Sequence, residues 1–83
     1  MKPLVRIVWE DAQDHSDKWV DEADADAFGA KLCTIISVGF LVSRTDKYLT
    51  LAGDWDADDK DYGRVTKIPA GVVREVITLQ EGE

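Results

Sequence analysis

Apolar and polar residues alternate with a period of two along several stretches of the chain, a pattern typical of half-buried β-strands. The first stretch, residues 4–9, places Val5 and Ile7 on one face. The longest, residues 32–42, is apolar on both faces, which predicts a central strand covered on two sides. Gly39 in its middle predicts a bulge or a close approach of another backbone.

Turn residues divide the rest of the chain into three more strands. The predicted order is a polar turn at 44–47, a return strand at 48–52, a fourth strand at 63–68, a turn at 69–71 containing Pro and Gly, and a fifth strand at 72–79. Five short strands predict an all-β fold, a small closed barrel of the SH3-like or Sm-like type, forming one domain over 1–83. One barrel core of this size is marginally stable, so we expect a homo-oligomer, either a ring or a dimer.

Charge separates the strands from two acidic segments. The net charge is −7, and most of the carboxylates lie in the segments 10–31 and 54–62. Blocks of like charge repel and hydrate well, so we interpret 10–31 as a long acidic first loop and 54–62 as a second acidic loop. Within the first loop, Asp21 is a candidate N-cap for a single helical turn.

Composition excludes several classes of protein. A lone cysteine, Cys33, cannot form an internal disulfide, and at the start of an apolar strand it is expected to be a buried small hydrophobe. A lone histidine, His15, beside Asp14, Ser16 and Asp17, lacks the converging partners that acid–base catalysis requires. No apolar run is long enough to cross a membrane. The sequence predicts a non-catalytic cytoplasmic protein with no cofactor and no membrane partner.

Large aromatic residues beside basic strands suggest a binding site. Trp55 and Tyr62 lie in the second acidic segment, where they could wall a pocket or a partner surface; the alternative is that they only pack on the barrel. In a second hypothesis these rings stack on a small nucleotide-like ligand at subunit junctions, and Arg64, Lys67 or Arg74 meet its phosphates.

Two other ligands are less compatible with the sequence. Asp54, Asp56 and Asp58 have the spacing of the first calcium ligands of an EF-hand loop, but Asp59 stands where that loop needs glycine and Val65 where it needs glutamate. We therefore expect a solvated acidic loop, with a weak cation site as the alternative. Nucleic acid, including the RNA bound by Sm-like rings, is disfavoured by the net charge of −7 and by scattered basic residues.

Four sequence blocks resemble a family of small proteins encoded by bacteriophages and prophages. The blocks are Val5–Ala12, Ser37–Val42, Asp46–Ala52 and Ile68–Val73, which match W-x-D-A, S-x-G-[FY]-L-V, D-x-Y-[LV]-x-L-A and I-P-x-G-x-[IV] in that order. The stretch after Ala52 is richer in aspartate than that pattern. The resemblance implies a phage accessory protein of unassigned activity, Sm-like in fold and located in the host bacterial cytoplasm. We expect it to bind a protein, either itself or a host factor.

Overall fold

A computed structural model of the 83-residue chain describes residues 1–15 and 19–80. The elements are β1 (Leu4–Asp11), α1 (Glu22–Gly29), β2 (Cys33–Arg44), β3 (Tyr48–Asp56), β4 (Asp61–Pro69), a 3₁₀ turn (Ala70–Val72) and β5 (Val73–Thr78). The all-β class, with five strands, is confirmed. The predicted one-turn break before the last strand is also confirmed, since the 3₁₀ turn occupies that position.

The five strands form one antiparallel sheet in the order β4-β3-β2-β1-β5. Pro69 lacks an amide hydrogen and ends β4, and the 3₁₀ turn then leads the chain to the far edge of the sheet beside β1. No ladder joins β4 to β5 within the described residues, so the sheet is not closed. The predicted closure of the barrel is therefore wrong.

The core lies on one face of this sheet, which we call the inner face. Its side chains are no more than 7% exposed and come from three strands: Val5, Ile7, Leu49, Leu51 and Ile68. Because β2 separates β1 from β3 in the sheet, residues of β1 and β3 can meet only if the sheet curls around them. The 3₁₀ turn contacts both β1 and β3 and so covers part of the opening.

Gly39 of β2 lies against the backbone of β3. A β carbon built at this position would be 2.5 Å from the carbonyl oxygen of Ala52, so only glycine fits. The predicted close backbone approach is confirmed. The irregularity in the β2–β3 ladder lies between Leu41 and Ser43, not at Gly39 itself.

The first acidic segment contains a two-turn helix and is not a loop throughout. Asp21 caps α1, accepting a hydrogen bond from the backbone N–H of Asp24 at 2.8 Å, as the sequence predicted. The prediction of a loop over 10–31 is wrong for 10–11, which belong to β1, and for 22–29. In 22–29, three alanines and the cap outweigh the modest helix propensity of aspartate. No residue of α1 is buried, so the helix projects from the sheet. Residues 16–18 of this segment lie outside the described part of the chain.

The second acidic segment is mostly strand. β3 runs to Asp56 and β4 begins at Asp61, which leaves only residues 57–60 as a turn. The carboxylate of Asp56 accepts hydrogen bonds from the backbone N–H groups of Asp58 and Asp59, and Lys60 takes a positive φ of 59°. The predicted loop over 54–62 is therefore shorter than expected, because an aspartate side chain closes the turn locally.

The molecule is elongated. Its Cα radius of gyration is 16.6 Å and its principal extents are 54 × 27 × 23 Å. A compact domain of this length would have a radius of gyration of about 12 Å. The difference indicates that α1 and the ends of the strands extend away from a small core.

Candidate functional site

The β3–β4 hairpin brings Trp55 and Tyr62 together, as the aromatic hypothesis requires. The two residues are direct cross-strand partners, and their ring centroids are 4.7 Å apart. Tyr62 also lies 6.2 Å from the ring of Phe40 on β2, and its hydroxyl accepts a hydrogen bond from the backbone N–H of Lys2 at 2.9 Å. The rings therefore pack on one another and on the sheet, which supports the packing role considered for them above.

Arg64 is on the same hairpin but is already occupied by a carboxylate. Its Nε and Nη2 donate to the two carboxylate oxygens of Asp54 at 2.6 and 3.0 Å. The guanidinium lies over Gly53, where a β carbon would come within 2.8 Å of it, and Arg64 itself has a positive φ of 50°. Hydrogen bonding and the charge of this guanidinium hold the pKa of Asp54 below its usual value, and the pKa of Arg64 is raised in return.

Of the two remaining predicted cations, one lies farther along β4 and the other at the opposite edge of the sheet. Lys67 lies on β4 with its ammonium 5.5 Å from the ring centroid of Tyr48. Arg74 lies on β5, at the opposite edge, where it forms two hydrogen bonds to the carboxylate of Glu10 and one to the carbonyl of Gly71. The structure thus places Trp55, Tyr62 and Arg64 near the tip of one hairpin, with Lys67 farther along the same hairpin. Arg74 lies on β5, at the other edge of the sheet.

The candidate cation ligands are engaged locally. Asp54 pairs with Arg64, and Asp56 closes the turn through its side chain, while Asp58 is exposed in that turn. Across residues 1–15 and 19–80, no three His, Cys, Asp or Glu residues are arranged to hold a metal ion.

His15 and Cys33 are placed near the base of α1. The imidazole of His15 lies edge-on to the ring of Phe28, with centroids 5.0 Å apart, and its sequence neighbours Ser16 and Asp17 fall outside the described residues. Cys33 is half-buried at the start of β2, so it is less enclosed than predicted.

The largest difference from the sequence prediction concerns β2. Its inner face is half-buried or buried, but on the opposite, outer face Ile36 is 61% exposed and Val38 is 55% exposed. The prediction that both faces are covered is wrong, because nothing in the described chain packs on the outer face at this point. On β1 the same face carries Val8, which is in register with Ile36, and Leu4. Arg6 lies between Val38 and Ile77 of β5 and pairs with Glu75, so an ion pair interrupts the apolar surface.

We call this surface the outer apolar face; its residues are Leu4, Val8, Ile36, Val38 and Ile77. Its exposure was not predicted from the sequence. The residues of β2 are apolar on both faces of the strand. This pattern predicted that both faces are buried within one chain. An apolar residue on a strand face is equally compatible with burial against another molecule.

Comparisons with family models, with curated proteins and with solved structures give no match to this chain. They therefore bear neither on the resemblance to phage proteins nor on function. Among the described residues, no helix combines the length and the apolar character needed to span a bilayer.

Proposed function

We propose that this chain is a non-catalytic protein-interaction module, a small SH3-like or Sm-like open barrel of bacteriophage or prophage type, that works as a homo-oligomer in the host bacterial cytoplasm. The barrel proposal is supported by the curled sheet, in which Ile7 of β1 packs in one cluster with Leu49 of β3. It is also supported by the 3₁₀ turn between β4 and β5, which contacts β1 and β3 across the opening.

The observation that carries the proposed function is the amount of apolar surface left in water. The described residues expose ten large hydrophobic side chains, whereas the core cluster contains five buried ones. Single exposed apolar residues are normal, but several on one face mark interaction surfaces, and the outer apolar face gathers four of them and the half-buried Val8 around the Arg6–Glu75 ion pair. Covering this surface with a second protein would also add to a core that is small for a domain.

Sequestration of a nucleotide-like ligand has less support. The ring of Trp55 packs at a tilt of 51° against that of Tyr62. The guanidinium groups of Arg64 and Arg74 are each bound by a carboxylate of the same chain. A phosphate would have to displace both carboxylates, so we keep protein interaction as the proposed function.

The oligomeric state tests this proposal directly. We expect size-exclusion chromatography with light scattering to give the mass of two or more 9.3 kDa chains at micromolar concentration. Native mass spectrometry of the freshly purified protein should show the same multiple with no added small molecule. A monomer at the highest concentration reached would contradict the homo-oligomer. A bound small molecule of constant mass would favour sequestration instead.

A further inference from the structure

The strand β2 has one edge without a partner over its first half. β1 pairs with the whole of residues 33–40 on one side of β2, but β3 pairs with β2 only over residues 40–44 on the other. Past Ala52, the ladder of β3 continues with β4 alone. The edge of residues 33–39 that faces away from β1 therefore has no ladder within the described chain.

The identity of the unpaired backbone groups follows from the alternation of an antiparallel strand. The N–H of Leu41 donates to the carbonyl of Pro3 at 2.8 Å, so residue 41 directs its backbone groups toward β1. Counting back by two, residues 39, 37, 35 and 33 do the same, and the residues between them point the other way. Thr34, Ile36 and Val38 thus direct three N–H and three C=O groups to the unpaired side. We call these three residues the free edge of β2.

The free edge lacks the features that normally prevent one strand edge from pairing with another. The outer edge strand β4 carries Arg64, Lys67 and Pro69, and β5 carries Arg74 and Glu75. Charges and proline on an edge oppose the addition of another strand. In contrast, residues 33–39 carry no charge and no proline, and α1 makes no extensive contact with β2 that would cover them.

Charge points to a second copy of this chain as the occupant. The chain has a net charge of −7, so two copies repel over most of their surface, but no carboxylate occurs between Asp26 and Asp46. The free edge lies in the middle of this acid-free stretch. In an antiparallel pairing, the acidic α1 of each copy is directed toward the end of the partner strand that carries Arg44, and away from the other α1. A parallel pairing would place the two acidic helices side by side.

We propose that two copies pair through the free edge of β2, antiparallel about a two-fold axis at Ile36. In this register Ile36 faces the same residue of the other copy, and Thr34 faces Val38, so every unpaired backbone group of the free edge finds a partner. The same patch serves both copies, as in isologous dimers. The β2-β1-β5 parts of the two sheets join into one continuous sheet, and Ile36 and Val38 of the outer apolar face pack against side chains of the other copy.

This inference rests on the proposed homo-oligomer and names its interface. The first test uses Ile36→Pro and Val38→Lys. Proline removes an N–H that no ladder of the described residues uses, and it adds bulk at the edge, whereas lysine introduces like charges across the axis. The matched control is Val65→Lys, because Val65 on β4 is also 55% exposed. We expect a wild-type dimer, a dissociation constant raised at least about tenfold in both edge variants, and an unchanged dimer in the control.

A second test does not depend on how the edge variants fold. In a Cys33→Ser background, Ile36→Cys places two thiols across the axis, where the facing Cα atoms of a bonded pair are about 5.5 Å apart and within disulfide range. Mild oxidation should give a cross-linked dimer that reductant reverses, and Val65→Cys in the same background should remain largely uncross-linked.

The outcomes separate the interface from the homo-oligomer itself. A wild-type oligomer that survives both edge variants, or that cross-links as well through Val65→Cys, would overturn the β2 interface and leave the proposed oligomer standing, with the edges of β4 and β5 as its route. A monomeric wild-type chain would overturn both, and would assign the free edge to a strand from another protein.

Discussion

At Gly39 a missing β carbon decides how closely β2 and β3 approach. The site of that carbon is 2.5 Å from the backbone oxygen of Ala52 and 2.9 Å from Cγ of Leu51, and a backbone oxygen in a ladder cannot move aside cheaply. We expect Gly39→Ala to lower the free energy of unfolding by about 1–3 kcal/mol through overpacking, measured by urea denaturation. Gly29→Ala is the control, since nothing lies within 4 Å of the added carbon. Equal stability of the two variants would contradict the close approach.

The pair formed by Asp54 and Arg64 predicts a titration effect. Because the guanidinium lowers the pKa of Asp54, Arg64→Gln should return that pKa toward the ordinary value of about 3.9, as measured by NMR of the carboxyl carbon. Lys67→Gln removes a cation from the same strand and should leave the titration of Asp54 unchanged.

The sign of the linked stability follows from the lowered pKa. The contribution of this pair is present above the pKa that Asp54 has in the unfolded chain, and it is lost as the pH falls through the folded-state pKa. Both side chains are more than half exposed, so solvent screens the pair and its contribution to folding is small. A stability of the Arg64→Gln variant that falls sharply at neutral pH would contradict this account.

At the scale of the element, α1 is a helix whose stability is nearly independent of the core, since none of its residues is buried. Asp21→Ala removes the cap and should lower the helical signal in circular dichroism. Asp26→Ala removes the same charge nearer the C-terminal end, where a carboxylate opposes the helix dipole, and should raise that signal. The free energy of unfolding should change by less than about 0.5 kcal/mol in both variants. A large loss of stability in either would show that α1 packs on the sheet.

Local patterns predicted the strands well and their ends poorly. Period-two alternation and turn residues together predicted all five strands, and Pro69 and Gly71 predicted the turn before β5. The β3–β4 hairpin was predicted too short, since the aspartates of 54–61 were counted as loop formers. In the structure Asp56 closes the turn that contains Asp58 and Asp59, whereas Asp54 and Asp61 belong to the strands.

The candidate site could be predicted only as a set of residue types. Trp55 and Tyr62 are neighbours because strand register pairs them, and that register is not visible in composition. Arg74 is remote from that hairpin because β5 pairs with β1, a long-range choice that no local motif encodes. The outer apolar face went unpredicted for the same reason: apolarity on β2 was visible, but which face the core would cover was not.

For the whole molecule, the small core and the elongated shape have one origin. The sheet curls enough to bury five side chains, but it does not close. The strands that lie beyond this small core make the molecule long. Closure could not be judged from the sequence, because it depends on the curvature of the sheet and on where the chain goes after Pro69. An open sheet of this kind has more edge to offer a partner than the predicted barrel.

The pairing of β1 with β5 also sets the order in which the fold can assemble. Val5 is a ladder partner of Thr78. β1 is made before the other four strands, so it cannot complete its pairing until β5 has been made. While the chain is being made, β1 and β2 can meet, but one side of β1 stays open until residues 73–78 have left the ribosome. Sheets built from such distant segments fold on the order of milliseconds to seconds. During that interval the nascent chain exposes uncovered strand edges, and such edges are prone to aggregation.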